Sequence, residues 1–111
     1  MDMTVAEEMV RVIVMRLTGR VDALSVGDFV RQADKYTNEG ERRFVIDLSE
    51  VSFLDSAGIA ALVSLLKKAR KAGGDVKLVW PKLAEAQRIL RLTKFDKVFV
   101  MADSAETALS F

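Results

Sequence analysis

Val51-Ser52-Phe53-Leu54-Asp55-Ser56-Ala57-Gly58-Ile59 closes an apolar strand pattern and opens a helical one. Upstream, Arg43 to Leu48 alternates as a strand does, with Phe44, Ile46 and Leu48 facing one way and Val45 and Asp47 the other. Val51 to Leu54 brings apolar weight back beneath the chain. Asp55 and Ser56 then offer two short polar side chains that can accept the free amides of a helix start. Ala57-Gly58 lets the backbone turn with little bulk. Downstream, Ile59, Leu62, Val63, Leu66 and Ala69 recur at helical spacing, which predicts a helix to near Ala72. Gly73-Gly74 stops it, because glycine takes the left-handed cap without a Cβ penalty.

Outward from this junction the same two periods alternate. Met9 to Leu17 is β-branched and mostly apolar, a strand buried on much of both faces. It ends in the turn-like Thr18-Gly19-Arg20-Val21-Asp22. Ser25 and Asp28 resemble a capping box for a helix whose inner side is Val26, Phe29, Val30, Ala33 and Tyr36 or Thr37, stopped at Asn38-Glu39-Gly40. Asp75 to Trp80 predicts a third strand, ended by Pro81, and a helix from near Leu83 turns Ala86, Ile89, Leu90 and Thr93 inward. Val98 to Met101 reads as a last strand, and Asp103 with Glu106 as the cap of a short final helix. Alternation of this kind predicts an α/β fold in one domain over residues 1–111, with its core at about 9–109. The expected architecture is a mixed, mostly parallel sheet of about four to five strands with about four packed helices.

Composition narrows the function classes. Half of the 111 residues are hydrophobic and 30% are charged, ordinary for a soluble globular domain. Seventeen basic against sixteen acidic residues leave a net charge of +1, so neither nucleic acid nor a membrane surface is expected as a partner. There is no cysteine, hence no disulfide, thiol nucleophile or zinc-thiolate site, and no histidine, the usual general base and metal ligand. No cofactor is expected. Met1 to Glu8 lacks the basic-then-apolar layout of a signal peptide, and no apolar run approaches the roughly 18–20 residues that span a bilayer. A cytoplasmic location is expected.

The remaining motifs have plain readings. Phosphate-cradling glycine loops are absent from the sequence, and Gly73-Gly74 lies at a helix end, where anions are disfavoured. Lys67, Lys68, Arg70 and Lys71 complement the same helix end as a solvated basic face. Asp47, a carboxylate late in an apolar strand, resembles the phospho-acceptor of response-regulator receivers. A receiver also needs an acidic pair after its first strand and a late-strand lysine. Met15-Arg16-Leu17-Thr18 and the segment 98–101 supply neither. Asp22 and Asp55 are either turn and cap residues or site carboxylates, and a catalytic pair would need a cleft that nothing in the sequence marks. Ser56 on its local pattern alone is an ordinary N-cap.

A longer pattern changes that last reading. Phe44 to Ser49 followed by Val51 to Ile59 is similar to the signature of the STAS family, which includes the bacterial anti-sigma factor antagonists. Leu17-Thr18-Gly19-Arg20-Val21-Asp22, Gly73 to Val79 and Ile89 to Phe99 extend the resemblance over nearly the whole chain. It implies a STAS-like domain that is not an enzyme. It also implies that Ser56, right after the motif aspartate Asp55, is phosphorylated by a serine kinase that doubles as the anti-sigma factor. A serine phosphatase would reverse the mark. The implied partner-binding residues are Asp22, Asp55, Ser56, Ala57, Gly58 and Ile59, on a monomer or weak dimer. Ala57 stands where antagonists commonly carry a second hydroxyl, and Arg20 where an acidic residue is frequent. The resemblance also admits a STAS scaffold or regulatory subunit of a transport or signalling complex, with Ser56 a mere cap.

Overall fold

Phe44, Ile46 and Leu48 lie fully buried on one face of a sheet, while Val45 is buried on the other. The alternation read from the sequence therefore runs through the centre of the molecule. In the computed structural model, which describes residues 1–7 and 11–111, five strands lie in chain order. They are β1 (Asp2–Glu7), β2 (Val12–Val21), β3 (Arg43–Leu54), β4 (Asp75–Val79) and β5 (Val100–Ala102). β1 is antiparallel to β2, from Asp2 opposite Thr18 to Glu7 opposite Ile13, and the other pairs are parallel. The fold is a single α/β domain with a mixed, mostly parallel sheet.

Parallel neighbours need crossovers, and α1 (Val26–Asn38), α2 (Ser56–Lys71) and α3 (Ala84–Leu92) supply them. Strands added in one direction by crossovers of one hand put every crossover helix on the same face. Accordingly Phe29 and Ala33 of α1, Leu62, Leu65 and Leu66 of α2 and Leu90 of α3 share one cluster with Phe44, Ile46 and Leu48. The other face is covered by α5 (Ala105–Ala108), where Ala108 packs with Val12, Val14, Val45 and Val79. No helix among the described residues is long and apolar enough to cross a membrane.

Several boundaries differ from the sequence reading. A strand that the periodicity did not predict, β1, closes the sheet edge with Met3 and Val5 partly buried against the core. Met9 and Val10 of the expected first strand lie outside the described residues, and that strand runs on through Thr18-Gly19-Arg20-Val21. Pairing with β3 continues there across register shifts around Gly19, whose φ of +86° a side chain would oppose. β3 likewise continues to Leu54. The expected strand over 98–101 begins instead as a helical turn, α4 (Phe95–Val98), and pairing with β4 starts only at Val100. Two caps move as well. Ser25 caps nothing with its side chain, and the last helix is capped by the Ser104 hydroxyl on the Thr107 amide at 3.2 Å, not by Asp103 with Glu106. The Gly73-Gly74 stop has two separate causes. Gly73 has φ +87°, and a Cβ on Gly74 would lie 1.7 Å from the Arg42 carbonyl oxygen.

Candidate functional site

At the end of β3 the chain leaves Leu54, paired with Val21, and turns into α2. Asp55 is the N-cap, extended at φ −104°, and its Oδ1 accepts the Gly58 amide at 2.9 Å. Its second oxygen is engaged elsewhere: Oδ2 accepts the amide of Ala23, in the β2–α1 loop, at 3.1 Å. The Asp55 amide donates to the Val21 carbonyl at 3.4 Å. One side chain thus ties the mouth of α2 to a loop 32 residues earlier in the chain. Gly58 permits this approach, since a Cβ there would lie 2.5 Å from the Val21 carbonyl oxygen.

With Asp55 capping, Ser56 is released from that duty. It is the first residue of α2, exposed, and its hydroxyl makes no hydrogen bond among the described residues. Ala57 beside it is half-buried. Gly58 and Ile59 are buried, so their side of the helix supports the site from beneath.

Asp22 is committed to its own loop. Its Oδ1 accepts the amides of Leu24 at 3.2 Å and Ser25 at 3.1 Å, and the Ser25 hydroxyl at 3.0 Å. Arg20 donates to Oδ2 at 3.3 Å and lays its guanidinium 4.2 Å from the centre of the Phe53 ring. The Ser25 hydroxyl holds the Asp22 carboxyl below its ordinary pKa against the cost of desolvation, with help from Arg20 and the loop amides. Asp22 and Asp55 therefore converge on one loop from opposite ends, as structural acceptors.

Beside Ser56 runs a groove of about 640 Å³ between α2 and the α3–α4 segment. Leu54, Ile59, Val63, Ile89 and Phe95 form its apolar lining, and Lys67 lies at its edge. Sequence reasoning reached the α2 residues but missed Ile89 and Phe95 as its opposite wall, and missed the role of Ala23.

Asp47 stands apart on the α5 face, buried, with Arg16 donating at 3.0 Å and the Ser49 amide at 2.9 Å. Burial opposes its ionisation, yet the Ser49 hydroxyl and amide together with Arg16 hold its pKa below the ordinary carboxylate value.

A relative in Thermotoga neapolitana, named as a homologue of an anti-sigma factor antagonist, is 30% identical over 76 residues. The match covers 68% of this chain and 66% of that relative's length. The crystal structure of an anti-sigma factor antagonist from Mycobacterium paratuberculosis superposes with a TM-score of 0.86 at 26% identity, over 98% of this chain and 91% of that one. SpoIIAA of Bacillus, at 16% identity, a TM-score of 0.76 and coverage of 97% and 96%, shares the fold. The STAS domain profile matches residues 3–108, and the chain belongs to the STAS domain family.

Proposed function

We propose that this chain is an anti-sigma factor antagonist controlled by phosphorylation of Ser56. Unmodified, it docks its α2 mouth and the adjoining loop on an anti-sigma factor that is also a serine kinase, which frees a sigma factor. Phosphoryl transfer to the Ser56 hydroxyl releases the kinase, and a serine phosphatase resets the chain. The observation that carries this reading is the division of labour between neighbours. Asp55 makes the cap bond at 2.9 Å, and Ser56 is left exposed with a hydroxyl that has no structural partner among the described residues. The relatives named as antagonists support the partner class.

The physics suits a switch that leaves the fold intact. The first turn of a 16-residue helix favours negative charge through its free amides and its dipole, so a phosphate there does not strain the architecture. It does add about 1.5–2 negative charges to a contact face already carrying Asp22 and Asp55. Burying that charge against a partner without a paired cation costs several kcal/mol, and even ~3 kcal/mol exceeds a hundredfold in affinity. The chain contributes only an acceptor hydroxyl and a docking surface.

The test is titration calorimetry of wild type, Ser56→Ala and Ser56→Asp against purified anti-sigma serine kinases of the host. Ser56→Ala keeps its affinity, and Ser56→Asp weakens binding by about a hundredfold. Equal binding by Ser56→Asp refutes the switch and favours permanent docking as a scaffold.

A further inference from the structure

The groove between α2 and the α3–α4 segment is apolar along its length and charged only at its ends. Of the residues that line it, Asp55 and Lys67 alone carry charge. Asp55 caps the start of α2, and Lys67 lies roughly 18 Å further along the helix, at about 1.5 Å per residue. Between them Val63, Ile89 and Phe95, all only partly buried, line the walls together with the buried Leu54 and Ile59. The two ends differ in what they have left to bind. Asp55 accepts the Gly58 amide at 2.9 Å and the Ala23 amide at 3.1 Å, and the positive end of the helix dipole offsets its charge. Lys67 has no hydrogen bond or ion pair among the described residues, whereas Lys68 and Arg70 beside it pair with Asp34 at 2.7 Å and Asp75 at 3.1 Å. At about 640 Å³ the groove falls in the range of small-ligand sites, which are mostly apolar with a few polar groups that fix orientation.

We propose that this groove binds a long-chain carboxylate, a fatty acid anion. Its head sits on the Lys67 ammonium, and its chain runs past Val63, Ile59, Ile89 and Phe95 toward Leu54. The charge layout selects both the class and the direction. A neutral hydrocarbon would leave the Lys67 ammonium without a partner at the mouth of an apolar channel. A cationic amphiphile would have to set its head on Asp55, whose two oxygens already accept amides, and bring its own charge toward the helix's positive end. A nucleotide would need several donors for its phosphates, and the lining offers one cation and no glycine loop. Buried methylenes supply most of the affinity. The exposed lysine selects the sign of the head group, since an ion pair at an exposed ammonium contributes little by itself. Ser56 lies at the opposite end of the groove from the head group, and the site stands whether or not that hydroxyl is a phosphoryl acceptor.

The experiment is titration calorimetry of the full chain with octanoate, decanoate and dodecanoate, each below its micelle concentration. Affinity is expected to rise about threefold per added methylene, a little under the roughly fourfold of complete burial. Dodecyltrimethylammonium binds at least tenfold more weakly than dodecanoate. Lys67→Glu weakens dodecanoate binding at least tenfold, and Lys67→Arg stays within twofold of wild type. Ala60→Phe, at an exposed position lining the groove, blocks the path of the chain and also weakens binding at least tenfold. All three variants keep the wild-type thermal midpoint, and phosphatidylglycerol vesicles leave the protein in the supernatant. Equal affinity for octanoate and dodecanoate, or for the cationic and anionic amphiphiles, overturns the proposal. Lys67→Glu within twofold of wild type overturns it too. Dodecanoate binding that Ala60→Phe leaves unchanged overturns it as adsorption elsewhere on the surface. Retention on vesicles without binding of monomeric dodecanoate overturns it in favour of a membrane surface. No step uses a kinase, so failure here leaves the reading of Ser56 standing, and failure of the Ser56 titrations leaves this site standing.

Discussion

Removing the Asp55 carboxylate separates the two segments it joins, and the structure sets the size of the effect. In Asp55→Ala the Gly58 amide loses its 2.9 Å cap, worth about 1 kcal/mol. The Ala23 amide loses a 3.1 Å bond to a carboxylate, worth about another 1 kcal/mol. The summed loss of about 2 kcal/mol corresponds to a fall of about 8 °C in Tm for a domain of this size. Asp55→Asn divides the two contributions. Its Oδ1 still caps Gly58, but its amide nitrogen turns a donor toward the Ala23 N–H, so about half the loss is expected. Thermal unfolding followed by circular dichroism gives the ranking: wild type, then Asn, then Ala. Amide hydrogen exchange locates the change, with Ala23 deprotected in both variants and the β3–β4 amides unaffected. An Asp55→Ala midpoint within 2 °C of wild type, or an Ala23 amide already unprotected in the wild type, refutes the clamp.

Two further outcomes follow from contacts around the sheet. Gly58→Ala puts a Cβ 2.5 Å from the Val21 carbonyl oxygen, a backbone atom that cannot rotate away. A net loss of about 2 kcal/mol in urea unfolding is expected despite the better helix propensity, and a variant as stable as wild type contradicts the close approach. At Asp47 the folded pKa lies below the unfolded one, so its stabilisation is complete above the unfolded value of about 4 and is lost as pH falls from there toward the folded pKa. Asp47→Asn should therefore be less stable than wild type at pH 7, with the gap closing below about pH 4 in denaturation curves. A gap that stays constant or widens on acidification argues against the Arg16 and Ser49 assignment.

Periodicity alone determined the α/β class, the two-faced central strand and the α2 helix with its glycine stop. These depend on which side chains must leave water, and a period of 2 or 3.6 residues records that locally. Ser56 as a candidate came from the longer family pattern, which the sequence also carries. The tertiary structure decided which of two adjacent polar residues caps α2. That choice depends on where β3 stops, and β3 stops where Leu54 pairs with Val21, a partner 33 residues away. The same non-local pairing carried β2 past Gly19, delayed β5 to Val100, and drew Asp2–Glu7 onto the sheet edge, where Met3 and Val5 alternate with polar neighbours too briefly to announce a strand. The loop held against α2 and the groove walled by Ile89 and Phe95 arise only once the segments meet, because hydrogen bonds and buried surface between distant residues leave no period in the chain.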